Sequence, residues 1–216
     1  MAASNQASHA SEAKQAAIFA TIACAGFLYY LAALIVLHFI EPGYNPLSRT
    51  ISEYAVGQYG FVMTSAFFAR GLALLALAIG LYQGVSPPGR SSAGIVLLCL
   101  SGVATLVTGI FRTDLKGALQ TTSGNIHIIA ALVTYIGLAA AFILLSQRFR
   151  HDPQWKSFRG LALALALAAL VGLVVFLGAS GTELAGLFQR IYTLLFLIWL
   201  LLTASRLRSI ASSQPQ

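Results

Sequence analysis

The chain has 216 residues, of which 58% are hydrophobic and 9% are charged, and its formal net charge is +7. A soluble domain carries about 25% charged residues, so this composition excludes a water-soluble globular protein. The basic balance does not indicate nucleic-acid binding, because no basic stretch is interleaved with aromatic residues that could contact bases and phosphates. We therefore expect an integral membrane protein whose first partner is the lipid bilayer.

Six long apolar runs follow a polar, Ala- and Ser-rich start. They cover residues 16–40, 61–82, 92–111, 123–145, 158–177 and 184–205. A nearly uncharged run of about 18 residues or more is typical of a helix that crosses a membrane. The sequence predicts an all-α fold, a polytopic bundle of six transmembrane helices. Its parts are an N-terminal tail (1–15), a membrane domain (16–208) and a C-terminal tail (209–216).

The distribution of Lys and Arg predicts the orientation. If the N-terminus is cytoplasmic, the cytoplasmic segments contain eight of these residues, and the opposite segments contain only Arg49, Arg112 and Lys116. Cytoplasmic loops of membrane proteins carry an excess of positive charge. Both termini are therefore expected in the cytoplasm, and residues 45–60, 111–127 and 178–184 are expected to form the outer connections.

The polar residues of the chain converge on this outer end. Ser52 and Glu53 lie in the first outer connection, and Arg112 and Asp114 end the third run. His127 lies one turn into the fourth run. Glu183 precedes the sixth run.

Two arginines, Arg70 and Arg190, lie within the second and sixth apolar runs. A charge at the centre of a membrane helix costs about 2.5–3.5 kcal/mol even on the most lenient scale, so both should face the bundle interior or a wet cavity. One interpretation is that they pair with Glu53 and Glu183 and lock helices together. The other is that they bind an anion such as a lipid phosphate or carboxylate, which suits the guanidinium fork.

His127 also has more than one interpretation. It could be an interfacial imidazole that is hydrogen-bonded to a neighbour. It could instead be a general base that is oriented by Asp114 and activates the hydroxyl of Ser48 or Ser52. A metal site is not favoured, because no pair of candidate ligands has a diagnostic helical spacing. No motif indicates a cofactor.

Residues 45–60, NPLSRTISEYAVGQYG, are expected to fold over the outer mouth of the bundle. Leu47, Ile51, Tyr54 and Ala55 recur at a spacing that favours a short amphipathic helix at the interface. Its other side would turn Ser48, Ser52 and Glu53 toward Arg70, Asp114 and His127.

Three motifs resemble a known prokaryotic membrane family. The first motif is Asn45-Pro46 followed by Ile51-Ser52-Glu53, the second is Phe111-Arg112-Thr113-Asp114, and the third is Gly124-Asn125-Ile126-His127. Their order and spacing resemble those of the family catalogued as domain of unknown function 998. The resemblance covers nearly all of the chain beyond the tail. It implies a six-helix bundle in the bacterial plasma membrane, and it implies no activity.

Three functions remain open at this point. The first is a protein whose outward-facing polar pocket binds or handles a lipid-like or small anionic amphiphile. The second is an intramembrane hydrolase or transferase that uses His127 and Asp114 with a serine. The third is a structural subunit of a membrane complex, in which the polar cluster is internal ion pairing. No motif specifies a protein partner.

Overall fold

A computed structural model describes the backbone of residues 2–213 and the side chains of residues 11–213. Six α-helices run in chain order: α1 Ala2–Ile40, α2 Gly60–Gly84, α3 Ser92–Ile110, α4 Thr122–Arg148, α5 Arg159–Gly178 and α6 Ala185–Ser212. Each contains a segment long and apolar enough to cross a membrane. No strand occurs in the described residues. The prediction of an all-α bundle with six candidate membrane spans is confirmed.

Two helices extend beyond the apolar runs. Helix α1 begins at Ala2, so the backbone of the stretch that the sequence separates as a tail is continuous with the first span. Helix α6 continues to Ser212, past residue 208.

The helices form a closed ring in which each one packs against its neighbours in sequence and α1 packs against α6. Small and hydroxyl side chains allow close approach at the seam between α3 and α4. There the Thr105 and Thr134 hydroxyls lie 3.4 Å apart, and a Cβ on Gly137 would overlap the hydroxyl of Ser101. Such contacts hold membrane helices together, because no hydrophobic driving force favours helix association within lipid. Large apolar side chains such as Phe61, Val171 and Ile129 remain exposed around the outside, as contact with lipid requires.

The two ends of the ring differ in their connections. One end carries the links between α2 and α3 and between α4 and α5. The other end carries the links α1–α2, α3–α4 and α5–α6, and we call it the pocket end. A 3-10 helix, Ile51–Val56, lies within the first of these three links.

Candidate functional site

The link between α1 and α2 folds back onto the ring instead of extending away from it. We call residues 44–57 the lid. The backbone N–H of Leu187, in the first turn of α6, donates to the carbonyl of Leu47 at 3.0 Å. Gly186 permits this contact, because a Cβ at that position would overlap the carbonyl oxygens of Pro46 and Arg49. The lid therefore covers the N-terminal end of α6.

Arg190 on α6 holds the lid in place. Its Nη1 donates to the carbonyls of Pro46 at 2.8 Å and Arg49 at 3.0 Å. Its Nη2 donates to the hydroxyls of Tyr44 and Tyr54, both at 3.3 Å, whose rings are stacked with centroids 3.8 Å apart. Burial raises the pKa of the Tyr44 hydroxyl above its ordinary value, so this phenol stays neutral and donates to the carbonyl of Thr50.

The expected pairing of Arg190 with Glu183 is wrong. Glu183 is mostly exposed and accepts a hydrogen bond from Lys116 Nζ at 2.9 Å. Backbone carbonyls replace a carboxylate as the partners of Arg190 because the lid presents several of them at one point. Arg190 is thus a structural clamp, and both of its terminal nitrogens already donate hydrogen bonds.

The lid also differs from the predicted amphipathic helix. Ile51 and Tyr54 are buried as expected, but Leu47 is 48% exposed, because the helix begins only at Ile51 and is of the tighter 3-10 type. The backbone N–H of Ile51 donates to the side-chain oxygen of Gln189 on α6 at 2.6 Å. Gln189 in turn donates to the hydroxyl of Tyr135 on α4 at 2.9 Å. This chain of hydrogen bonds joins the lid to two helices.

A pocket of about 570 Å³ lies beneath the lid, between α4, α5 and the start of α6. Its polar side contains five of the residues that the sequence singles out. These are Ser48, Ser52, Glu53, Asp114 and His127. Its other side is apolar and consists of Ile128, Leu132, Phe176 and Leu177. The pocket is thus polar near the lid and apolar along α4 and α5.

Asp114 stabilises the α3–α4 link and does not orient His127. Its Oδ2 accepts from the backbone N–H of Thr121 at 2.8 Å, and its Oδ1 accepts from the Thr121 hydroxyl at 2.9 Å. Thr121 then caps α4 by accepting from the N–H of Gly124 at 3.0 Å. A Cβ on Gly124 would overlap the Asp114 carboxylate, so a larger residue there would displace this carboxylate from its present position.

His127 is oriented by a backbone carbonyl. Its Nδ1 lies 2.8 Å from the carbonyl oxygen of Phe111, which can only accept, so Nδ1 carries the proton. The hydroxyl of Ser52 lies 3.2 Å from that of Thr50. Ser52 and His127 line the same cavity, but no hydrogen bond joins them, and none joins His127 to Asp114. The Ser–His–Asp relay that the sequence suggested is therefore not connected by hydrogen bonds.

Arg70 lies deeper, beside a cavity of about 10 Å³ that shares Ser52, His127 and Gln189 with the larger pocket. Arg70 is only 4% exposed. Its Nη1 donates to the Tyr30 hydroxyl at 3.2 Å and its Nη2 to the Thr105 hydroxyl at 3.4 Å. Its Nε is buried without a hydrogen-bond partner. The small cavity is about the size of one water molecule.

Arg70 has no carboxylate partner within residues 11–213, so the expected pairing with Glu53 is wrong. The ring of Tyr30 lies 4.8 Å from its guanidinium carbon, and those of Phe196 and Phe67 lie at 5.6 and 5.7 Å. Aromatic faces attract a cation, but they do not neutralise it. Arg70 therefore carries a buried positive charge next to the pocket.

Three of the predicted residues line neither the pocket nor the deep cavity. Arg190 clamps the lid, Arg112 is exposed on the α3–α4 link, and Glu183 is exposed on the α5–α6 link. Gln189, Tyr30 and Tyr135 line the deep cavity instead, and the sequence did not single them out. Gln189 directly precedes Arg190 on α6, and its polarity within an apolar run was the available signal. No three His, Cys, Asp or Glu side chains form a possible metal site among those the structure describes.

Comparison with known proteins yields one family. The profile described as "Protein of unknown function (DUF998)" matches residues 23–206, which contain the C-terminal part of α1, most of α6 and all of α2–α5. Searches of curated proteins and of solved structures gave no match. The match includes the lid and every residue of the pocket and of the deep cavity described above.

Proposed function

The chain belongs to the DUF998 family of membrane proteins, and within that family we propose that its pocket binds an amphiphile with an anionic head group. The observation that carries this proposal is the buried, unneutralised charge of Arg70. A lone buried charge is strongly destabilising, and membrane proteins keep one where it meets a partner or a substrate. An anion that enters from the pocket supplies the missing partner.

The guanidinium has donors to spare for such an anion. Arginine carries five N–H donors, and Arg70 uses two of them in hydrogen bonds to Tyr30 and Thr105. Phosphate and carboxylate groups match the arginine fork and bind it with two parallel hydrogen bonds. The hydroxyl of Ser52 and the imidazole of His127 line the same cavity and are the nearest further polar groups. Because the cavity is small, the head group must displace its contents or widen it.

The apolar side of the pocket favours an amphiphile over a small soluble anion. Ile128, Leu132 and Leu177 line the pocket and are 45%, 37% and 38% exposed. This exposure supports a pocket that opens toward lipid between α4 and α5. An acyl chain can lie in this groove while its head group reaches toward Arg70. The excess of basic residues at the opposite end supports an orientation in which the pocket lies on the outer side of the cell membrane, away from the cytoplasm.

Binding of lipids to purified protein in detergent, measured by native mass spectrometry, tests the proposal. The probes are phosphatidic acid and diacylglycerol with identical acyl chains, which differ in the phosphate alone. We expect the wild type to prefer phosphatidic acid, and Arg70→Gln to weaken phosphatidic acid binding about tenfold or more. Arg112→Gln is the matched control, because it removes an exposed charge from the pocket end, and it should bind as the wild type does.

The proposal is contradicted if folded Arg70→Gln retains wild-type affinity for phosphatidic acid. It is equally contradicted if the wild type binds both lipids alike. A thermal melt of each variant in the same detergent establishes that the compared proteins are folded.

A further inference from the structure

The pocket contains a second buried charge with an unused atom, the carboxylate of Glu53. Glu53 is 4% exposed and lines the pocket. Its Oε1 accepts from the backbone N–H and the hydroxyl of Thr50, at 2.8 and 3.1 Å. Its Oε2 is buried and accepts no hydrogen bond. Burying a carboxylate oxygen without a hydrogen-bond donor costs free energy, so a donor at Oε2 would stabilise the protein.

Arg49 does not supply that partner. Its Nε lies 3.8 Å from Glu53 Oε2, which is beyond hydrogen-bonding distance, and its side chain is 42% exposed. An ion pair that is long and solvated on one side contributes little. Lys116, a cation on the pocket wall, already donates to Glu183 at 2.9 Å and to the carbonyl of Thr182 at 3.4 Å. Oε2 of Glu53 thus lacks a close donor, as the guanidinium of Arg70 lacks a carboxylate.

These two unsatisfied groups have opposite charges and flank Ser52. Ser52 follows Ile51 in the lid, directly precedes Glu53, and lines the deep cavity together with Arg70. Glu53 and Arg70 do not pair with each other in the structure. A ligand with a single negative charge would satisfy Arg70 but would leave Glu53 Oε2 without a donor. Because such a ligand also meets the carboxylates of Glu53 and Asp114 on the pocket wall, it should bind more weakly than a ligand that also carries a cation.

We infer that the pocket selects a zwitterionic head group, in which a phosphate meets Arg70 and a primary ammonium donates to Glu53 Oε2. This inference rests on the proposed function and adds the chemical class of the head group. The ammonium supplies the donor that Oε2 lacks, and its charge offsets the carboxylates that would repel a simple anion. Discrimination then comes from both an attractive contact and a repulsive one.

A head group of this kind occurs in an aminophospholipid or in a free aminoalkyl phosphate. The apolar groove along Ile128 and Leu132 favours the lipid, because a free aminoalkyl phosphate would leave it empty. The ligand that carries this head group is therefore a lipid of the surrounding bilayer.

The test compares phosphatidylethanolamine with phosphatidylglycerol of identical acyl chains, using the purified full-length protein and native mass spectrometry. We expect the wild type to prefer phosphatidylethanolamine about tenfold or more. Glu53→Gln should bring the two affinities close together without weakening phosphatidylglycerol. Gln retains an oxygen that accepts from Thr50, so this substitution removes the charge and keeps the local cap.

Glu41→Gln is the matched control. Glu41 is a carboxylate at the same end that accepts from the backbone of Gln58 and Tyr59 and does not line the pocket. It should leave the preference unchanged. The inference is overturned if the wild type binds both lipids equally, or if folded Glu53→Gln keeps the preference. Displacement of the lipid by an equal concentration of soluble phosphoethanolamine would overturn the lipid as the source. If neither phospholipid binds, the proposed function itself fails.

Discussion

Ser52 in the lid and His127 on α4 line one buried cavity beside Arg70, although they are far apart in the sequence. The lid brings them together because it docks on α6 through Leu187 and Arg190 and then turns its 3-10 helix inward. Their side chains do not bond to each other. The cavity therefore has a polar lining in which Ser52 and His127 are not joined by a hydrogen bond.

The first prediction concerns the clamp. Arg190→Met removes the hydrogen bonds to the lid carbonyls of Pro46 and Arg49 and to the hydroxyls of Tyr44 and Tyr54. Charge-assisted hydrogen bonds contribute about 1.5–3 kcal/mol each, so the lid should open at least about tenfold more often. Hydrogen exchange of the backbone amides of residues 45–57 measures this opening. Arg112→Met is the control, and equal exchange in both variants would contradict the role of Arg190.

The second prediction concerns the close approach at Gly186. Gly186→Ala places a methyl group against the carbonyl oxygens of the lid and should lower the stability of the protein by about 1–3 kcal/mol. Gly181→Ala is the matched control, because a Cβ there meets no atom within 4 Å and its effect should stay within about 0.5 kcal/mol. Thermal unfolding in detergent compares the two. Similar melting temperatures would show that the lid does not dock as described.

The third prediction separates binding from catalysis at His127. His127→Gln breaks the hydrogen bond to the Phe111 carbonyl, or weakens it, and should cost about 0.5–1.5 kcal/mol of stability. Lipid binding should persist, because Arg70 remains in place. Calorimetric or thermal unfolding measures the first effect, and native mass spectrometry measures the second. Complete loss of binding in folded His127→Gln would contradict the assignment of the anion to Arg70.

The fourth prediction concerns orientation. Single cysteines at the exposed positions Gln58, Gln120 and Gly181, in a background without Cys24 and Cys99, should react with an impermeant thiol reagent added to intact cells. This follows from the excess of Lys and Arg at the other end of the bundle. Labelling that requires access to the cytoplasm would reverse the orientation and would place the pocket in the inner leaflet.

The sequence was sufficient for the six helices and for the gathering of polar residues at one end. Long apolar runs leave a membrane chain few alternatives, and the number of spans determines which connections share an end. It was not sufficient for the partners of the charges. Arg190 bonds to backbone carbonyls, which every residue has, so no residue type could reveal them.

Asp114 shows a second limit. Its position near His127 favoured a catalytic pair, but a carboxylate seven residues before a helix N-cap can also bond to that cap, as Asp114 does with Thr121. Which of these contacts forms depends on the path of a short link, and spacing alone does not specify that path. The unneutralised state of Arg70 likewise appears only once the positions of Glu53 and Glu183 are known.

The central claim is that Arg70 holds the phosphate of a bound amphiphile. Solid-state NMR measures it most directly, as the dipolar coupling between the phosphorus of one bound phosphatidic acid and the guanidinium nitrogens of ¹⁵N-arginine-labelled protein. We predict a coupled arginine signal in the wild type and in Arg112→Gln that disappears in folded Arg70→Gln. A wild-type protein that binds the lipid without such coupling, or a coupled signal that persists in Arg70→Gln, would contradict the account.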